Sequence, residues 1–145
     1  MSTRCNVAIK LKEEDLGKML KVDNSHYFET KSEYPTLEIY IHHDGYPEGV
    51  GCGLLNELPH DYNSILHYIL NGNRTSFDTP YTECGEKWED NRPICIGGDI
   101  WTDESDIPEQ YYYLFINDKW YFRNWHDKEV IWYDLEKDFN KNNEN

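Results

Sequence analysis

The run Tyr111-Tyr112-Tyr113-Leu114-Phe115-Ile116, followed by Asn117-Asp118 and then Lys119-Trp120-Tyr121-Phe122-Arg123-Asn124, constrains the fold more than any other stretch. Two ring-rich runs parted by two residues that tolerate positive φ read as an antiparallel hairpin with a tight turn. Its alternating rings form half a core and half a rim, so the rest of the chain must supply the cover. The whole sequence has this bias: aromatic residues are 15% of it and all hydrophobic residues only 38%, so large rings must build the core. Disordered acidic chains lack such rings, and the chain is therefore expected to fold.

Further elements follow from local pattern. Arg4 to Leu11 alternates as a strand, and Thr36 to His42 places Leu37, Ile39 and Ile41 on one face with Glu38, Tyr40 and His42 on the other. His43-Asp44-Gly45-Tyr46-Pro47 ends that strand with turn chemistry. Glu48 to Leu58 reads as a glycine-rich lead into a short helix, and His60 to Leu70 carries an apolar stripe closed by Asn71-Gly72-Asn73. Glu13 to Leu20 is expected as a further short helix, Pro93 to Ile96 and Glu129 to Leu135 as strands, with a helical turn over 135–139. Together these predict one α+β domain over residues 1–139, an antiparallel aromatic-rich sheet of about four to six strands with two or three short helices on one face. An irregular acidic insertion spans 74–110, and residues 140–145 form a frayed polar tail.

Charge narrows the function. The 145 residues carry 28 acids and 14 bases, a net charge of −14. Residues 83–109 hold nine acids and two bases, half of that excess. Such a field repels nucleic acid and attracts cationic partners. No stretch has the roughly 20 apolar residues of a membrane-spanning helix, and the N-terminus lacks a secretory core, so a cytoplasmic protein is expected. Cys5, Cys52, Cys84 and Cys95 contain no Cys-x-x-Cys pair, which predicts reduced thiols and no zinc site.

Three constellations compete. Glu86, Trp88, Glu89, Asp90, Asp99, Trp101, Asp103, Glu104 and Asp106 interleave carboxylates with tryptophans, a pattern suited to occupying a Lys/Arg-lined groove built for nucleic acid. Gly49 and Gly51 precede a helix and, with Arg4, Tyr40, His43, Asp44 and Tyr46, outline an alternative pocket for a nucleotide. His42, His43 and Asp44 suggest metal-assisted hydrolysis, although successive strand residues point to opposite faces unless the turn has begun, and no recognised ligand spacing accompanies them. No metal or other cofactor is assigned.

Ser2-Thr3-Arg4-Cys5-Asn6-Val7-Ala8-Ile9 and Ile41-His42-His43-Asp44-Gly45-Tyr46-Pro47-Glu48-Gly49-Val50-Gly51 resemble a family of small proteins of unassigned function encoded by bacteriophages and related mobile elements. That resemblance covers under a fifth of the chain and implies an accessory protein, a class that often counters host defence. The leading expectation is thus a non-enzymatic inhibitor of a bacterial defence component, anti-CRISPR-like or anti-restriction-like. It would bind a host protein with a basic nucleic-acid-binding groove, without direct contact to nucleic acid or membrane. Sequestration of a nucleotide immune signal is the alternative, followed by a metal-assisted hydrolase.

Overall fold

The computed structural model describes residues 2–80 and 87–138. Its centre is strand β1 (Cys5–Lys10), which pairs antiparallel with β4 (Thr36–Ile41) on one side and parallel with β8 (Tyr111–Ile116) on the other. β8 continues as the expected hairpin into β9 (Lys119–Asn124), and a two-residue β10 (Tyr133–Asp134) closes that edge. On the far side of β4, two segments share one edge. β7 (Ile94–Ile96) pairs antiparallel with its start, and β5 (Arg74–Ser76) pairs parallel with its end before folding back into β6 (Thr79–Pro80). Among the described residues the sheet therefore has eight strands and is mixed, where about four to six antiparallel strands were expected. The α+β class holds.

Both faces are covered. Cys5, Val7 and Ile9 of β1, Leu37, Ile39 and Ile41 of β4, and Tyr113 and Phe115 of β8 line one face, against which pack α1 (Cys52–Asn56) and α2 (Tyr62–Leu70). Ala8, Tyr112 and Leu114 line the other, covered by Ile100, Trp101, Ile107 and Trp132. This second layer is a loop rather than a helix, residues 97–110, and it explains why Tyr112 to Phe115 is buried on both sides.

Local chemistry accounts for the elements and for the departures. Asp61 caps α2, its side chain accepting the Ser64 N–H at 2.8 Å, and Gly72 at φ +94° lets the chain leave the helix. The helix expected over Glu13 to Leu20 is instead a 3-10 turn (Glu13–Asp15) and a strand, β2 (Met19–Lys21), paired with β3 (Tyr27–Glu29). Gly17 adopts φ +64°, which ends any helix there, and Lys18 and Thr30 exchange backbone and hydroxyl hydrogen bonds that start the small sheet. Only Tyr133 and Asp134 of the strand expected over Glu129 to Leu135 are paired. Trp132 is held beneath the loop, its Nε1 donating to the Trp101 carbonyl at 2.9 Å. Residues 135–138 are helical, and the frayed tail expected at 140–145 lies outside the described residues. No helix among the described residues is long and apolar enough to cross a membrane.

The hairpin turn gives a first prediction. Asn117 and Asp118 both have positive φ, 54° and 62°, the conformation of a type I′ turn. Asp118→Gly relieves a left-handed residue at a cost in unfolded-chain entropy, so a net gain of roughly 0.5–1 kcal/mol is expected in urea unfolding. A loss of stability would show that the Asp118 side chain contributes more than its backbone costs.

Candidate functional site

The loop over the second face is assembled from its own residues upward. Gly98 at φ +77° turns the chain out of β7, and the Asp99 carboxylate accepts the Trp101 N–H at 3.0 Å. That turn sends Ile100 and Trp101 inward. The Trp101 ring lies parallel to Trp132, with centroids 5.2 Å apart and planes 8° from coplanar, and meets Tyr121 edge-on at 4.9 Å. Further along, Asp103 accepts the Ser105 N–H at 2.8 Å. From β9 below, Arg123 donates to the carbonyls of Asp103 and Ser105 at 3.5 and 3.2 Å. The loop is thus pinned through its backbone and apolar side chains, and the carboxylates of Asp99, Asp103, Glu104 and Asp106 are left exposed. Hydrogen bonds from the Ser105 hydroxyl and amide, aided by the charge of Arg123, hold the Asp103 carboxyl below its ordinary range, so it stays ionised.

The tryptophans expected to anchor a partner are otherwise placed. Trp88 is buried among the helix-side residues, its Nε1 donating to the Leu70 carbonyl at 2.8 Å, and Trp101 clamps the loop from within. Trp88 therefore offers no surface to a partner. The two acidic groups are also separated, because Trp88 belongs to the helix-side layer and Trp101 to the opposite one. Glu89 and Asp90 are exposed beside Trp88, and Glu89 is engaged with His26 at 3.0 Å. Glu86 and Cys84 lie outside the described residues.

The exposed aromatic ring beside the loop acids is Trp125, 54% accessible, one residue past the end of β9. It borders a depression of about 260 Å3 shared with Asp106, Ile107, Arg123, Asn124 and Asp127. In the sequence Trp125 directly follows the ring-rich run Lys119 to Asn124. The signal that separates it is the polar stretch that follows, His126-Asp127-Lys128, which ends the alternation at Asn124.

The His26 contact yields a pH prediction. Hydrogen bonds that His26 donates to Asp23, and secondarily to Glu89, raise the imidazole above its ordinary 6.5. The stabilisation from this contact is present in full below that ordinary value and is lost as pH rises through the elevated native one. An NMR titration of His26 is expected to give a midpoint above the free-histidine value that returns toward it in Asp23→Asn. An unshifted wild-type midpoint would contradict the geometry.

The alternative pocket residues have local structural roles. The strand has already ended at His42, so the His42 and His43 rings meet edge-on at 4.6 Å; His42 hydrogen-bonds Tyr40 Oη at 2.7 Å and His43 hydrogen-bonds Ser2 Oγ at 2.6 Å. Among the described residues, no three His, Cys, Asp or Glu side chains are grouped so as to hold a metal. The Tyr46 hydroxyl donates to Asp44, and the Arg4 N–H donates to Gln110. Gly49 donates its N–H to Tyr46, Val50 donates to Asp44, and a Cβ at Gly49 would collide with the Asp44 carbonyl oxygen. A Cβ at Gly51 would crowd Leu135 at 3.1 Å. Glycine here serves close packing, and the Gly49 and Val50 amides that would cradle a phosphate are already used. Burial pushes the Cys5 and Cys95 thiols up, away from the reactive thiolate.

A further cleft, about 470 Å3, lies between β3 and the approach to β7, where Lys31 and Arg92 stand near Tyr27 and Tyr34. Among the described residues, no buried unpaired side-chain group lines it. No protein-family model, curated protein or solved structure matches the chain.

Proposed function

We propose that this chain is a non-catalytic binding protein that sets the outward carboxylates of residues 99–106 and the Trp125 ring into a Lys/Arg-lined groove of another protein, one shaped to hold nucleic acid. The observation that supports it most is the division of roles in the loop: apolar side chains and backbone carbonyls hold it down, while Asp99, Asp103, Glu104 and Asp106 face solvent. A fixed acidic surface loses little conformational freedom on docking. Trp125, in the adjoining depression, adds apolar contact that charge alone lacks. The resemblance to mobile-element proteins directs the proposal toward a host defence component such as a CRISPR effector or restriction enzyme.

The test is affinity capture from bacterial extract with the parent and with a variant carrying Asp99→Asn, Asp103→Asn, Glu104→Gln and Asp106→Asn. Asn keeps the turn-forming acceptor oxygen at 99 and 103, so the fold is expected to survive. The parent is expected to retain a nucleic-acid-handling protein that duplex DNA displaces, and the variant to lose it. Equal retention by both proteins, or a captured protein that DNA does not displace, contradicts the reading.

A further inference from the structure

Beneath the same loop, on the sheet side, lies a cavity of about 290 Å3 bounded by Glu38, Tyr112, Arg123, Ile96, Ile107 and Trp132. Glu38 is only 7% exposed, and its carboxylate accepts one long hydrogen bond, from Asn6 Nδ2 at 3.4 Å. Burial pushes its carboxyl up from the usual range. The Tyr112 hydroxyl, in a residue 1% exposed, faces Glu38 closely enough for each to affect the other's proton affinity. The pair falls outside hydrogen-bond geometry, and neither the Tyr112 hydroxyl nor the buried Asn6 Oδ1 has a hydrogen-bond partner. Arg123 gives its Nη groups to loop carbonyls and makes no ion pair among the described residues.

Buried polar groups without partners are rare because each has lost its water, and one of them, the Tyr112 hydroxyl, set beside a sparsely bonded carboxylate on a largely apolar cavity is what a ligand site requires. We infer that this cavity binds a small planar organic cation of the amidine, guanidine or amino-heterocycle class, with its N–H groups on Glu38 and Tyr112 and its body against Trp132 and the isoleucines. The sign of the charge follows from the lining. At the rim the exposed Asp103 and Asp106 add to the buried Glu38 against one arginine, Arg123, so the lining is net negative and favours a cation over a phosphate-bearing ligand. The shape follows from the carboxylate, which pairs best with two parallel N–H donors.

Calorimetric titration with benzamidine, and with benzamide as its uncharged counterpart, tests the inference. Saturable one-to-one binding of benzamidine is expected, with benzamide and Glu38→Gln each weakening it about tenfold or more, the effect of removing one side of a charged hydrogen bond. Tyr112→Phe gives an independent arm should Glu38→Gln not fold. It removes an unpaired hydroxyl, so Tm is expected to hold or rise while benzamidine affinity falls about threefold. A structural hydroxyl would give the opposite pattern, a lower Tm with affinity unchanged, and that result overturns the inference. So does the absence of saturable binding, or equal binding of benzamide, or full affinity in Glu38→Gln.

Discussion

Trp101→Ala is expected to cost roughly 2–4 kcal/mol of unfolding free energy, a substitution in the acidic loop with the consequences of a core deletion. Its ring is stacked on Trp132 and abuts Tyr121, and both contacts bind the loop to the sheet. Removing it strips this packing from the face formed by Tyr112 and Leu114 and leaves a cavity there. Urea unfolding reads the loss. Amide exchange should show faster opening over 99–106 than over β1, because the loop is released before the sheet. A loss well under 1 kcal/mol would mean that the clamp is not what holds the carboxylates outward.

Trp125→Ala is expected to do the reverse. The ring is over half exposed and makes its one described ring contact with His126, at 4.1 Å, so stability should change by no more than about 0.5 kcal/mol. Partner affinity is expected to fall about thirtyfold, the roughly 2 kcal/mol typical of a Trp anchor near an interface centre. The two tryptophans thus separate folding from binding. Should Trp125→Ala bind like the parent, the aromatic half of the proposed surface is wrong; should it unfold the protein, Trp125 is part of the core.

This contrast also marks what could be read in the chain. The hairpin, β1, β4 and α2 were legible because each carries its period and stop signals locally, such as Asn117-Asp118, Asp61 and Gly72. The parallel pairing of β1 with β8 was not, since it joins residues about a hundred positions apart and no local pattern names a strand's neighbour. β5, β6 and β10 have two or three residues each, too few to show a period. The alternation in β4 placed Glu38 on the face opposite Leu37, Ile39 and Ile41; a loop some sixty residues later covers it and makes it a cavity wall. Composition counted the tryptophans of the acidic segment correctly and could not orient them. Trp88 and Trp101 were expected to face a partner, but the backbone turns send their rings inward and leave the carboxylates exposed.

The most direct test is the association rate of the captured partner with the parent and with the four-amide variant, each measured at low and high salt. Exposed charges steer encounters through a field that salt screens over roughly 10 Å, so the parent rate should fall about tenfold or more with added salt while the variant rate starts low and stays nearly flat. A parent rate indifferent to salt, or a variant as fast as the parent at low salt, would mean that the carboxylates between Asp99 and Asp106 only keep the protein hydrated.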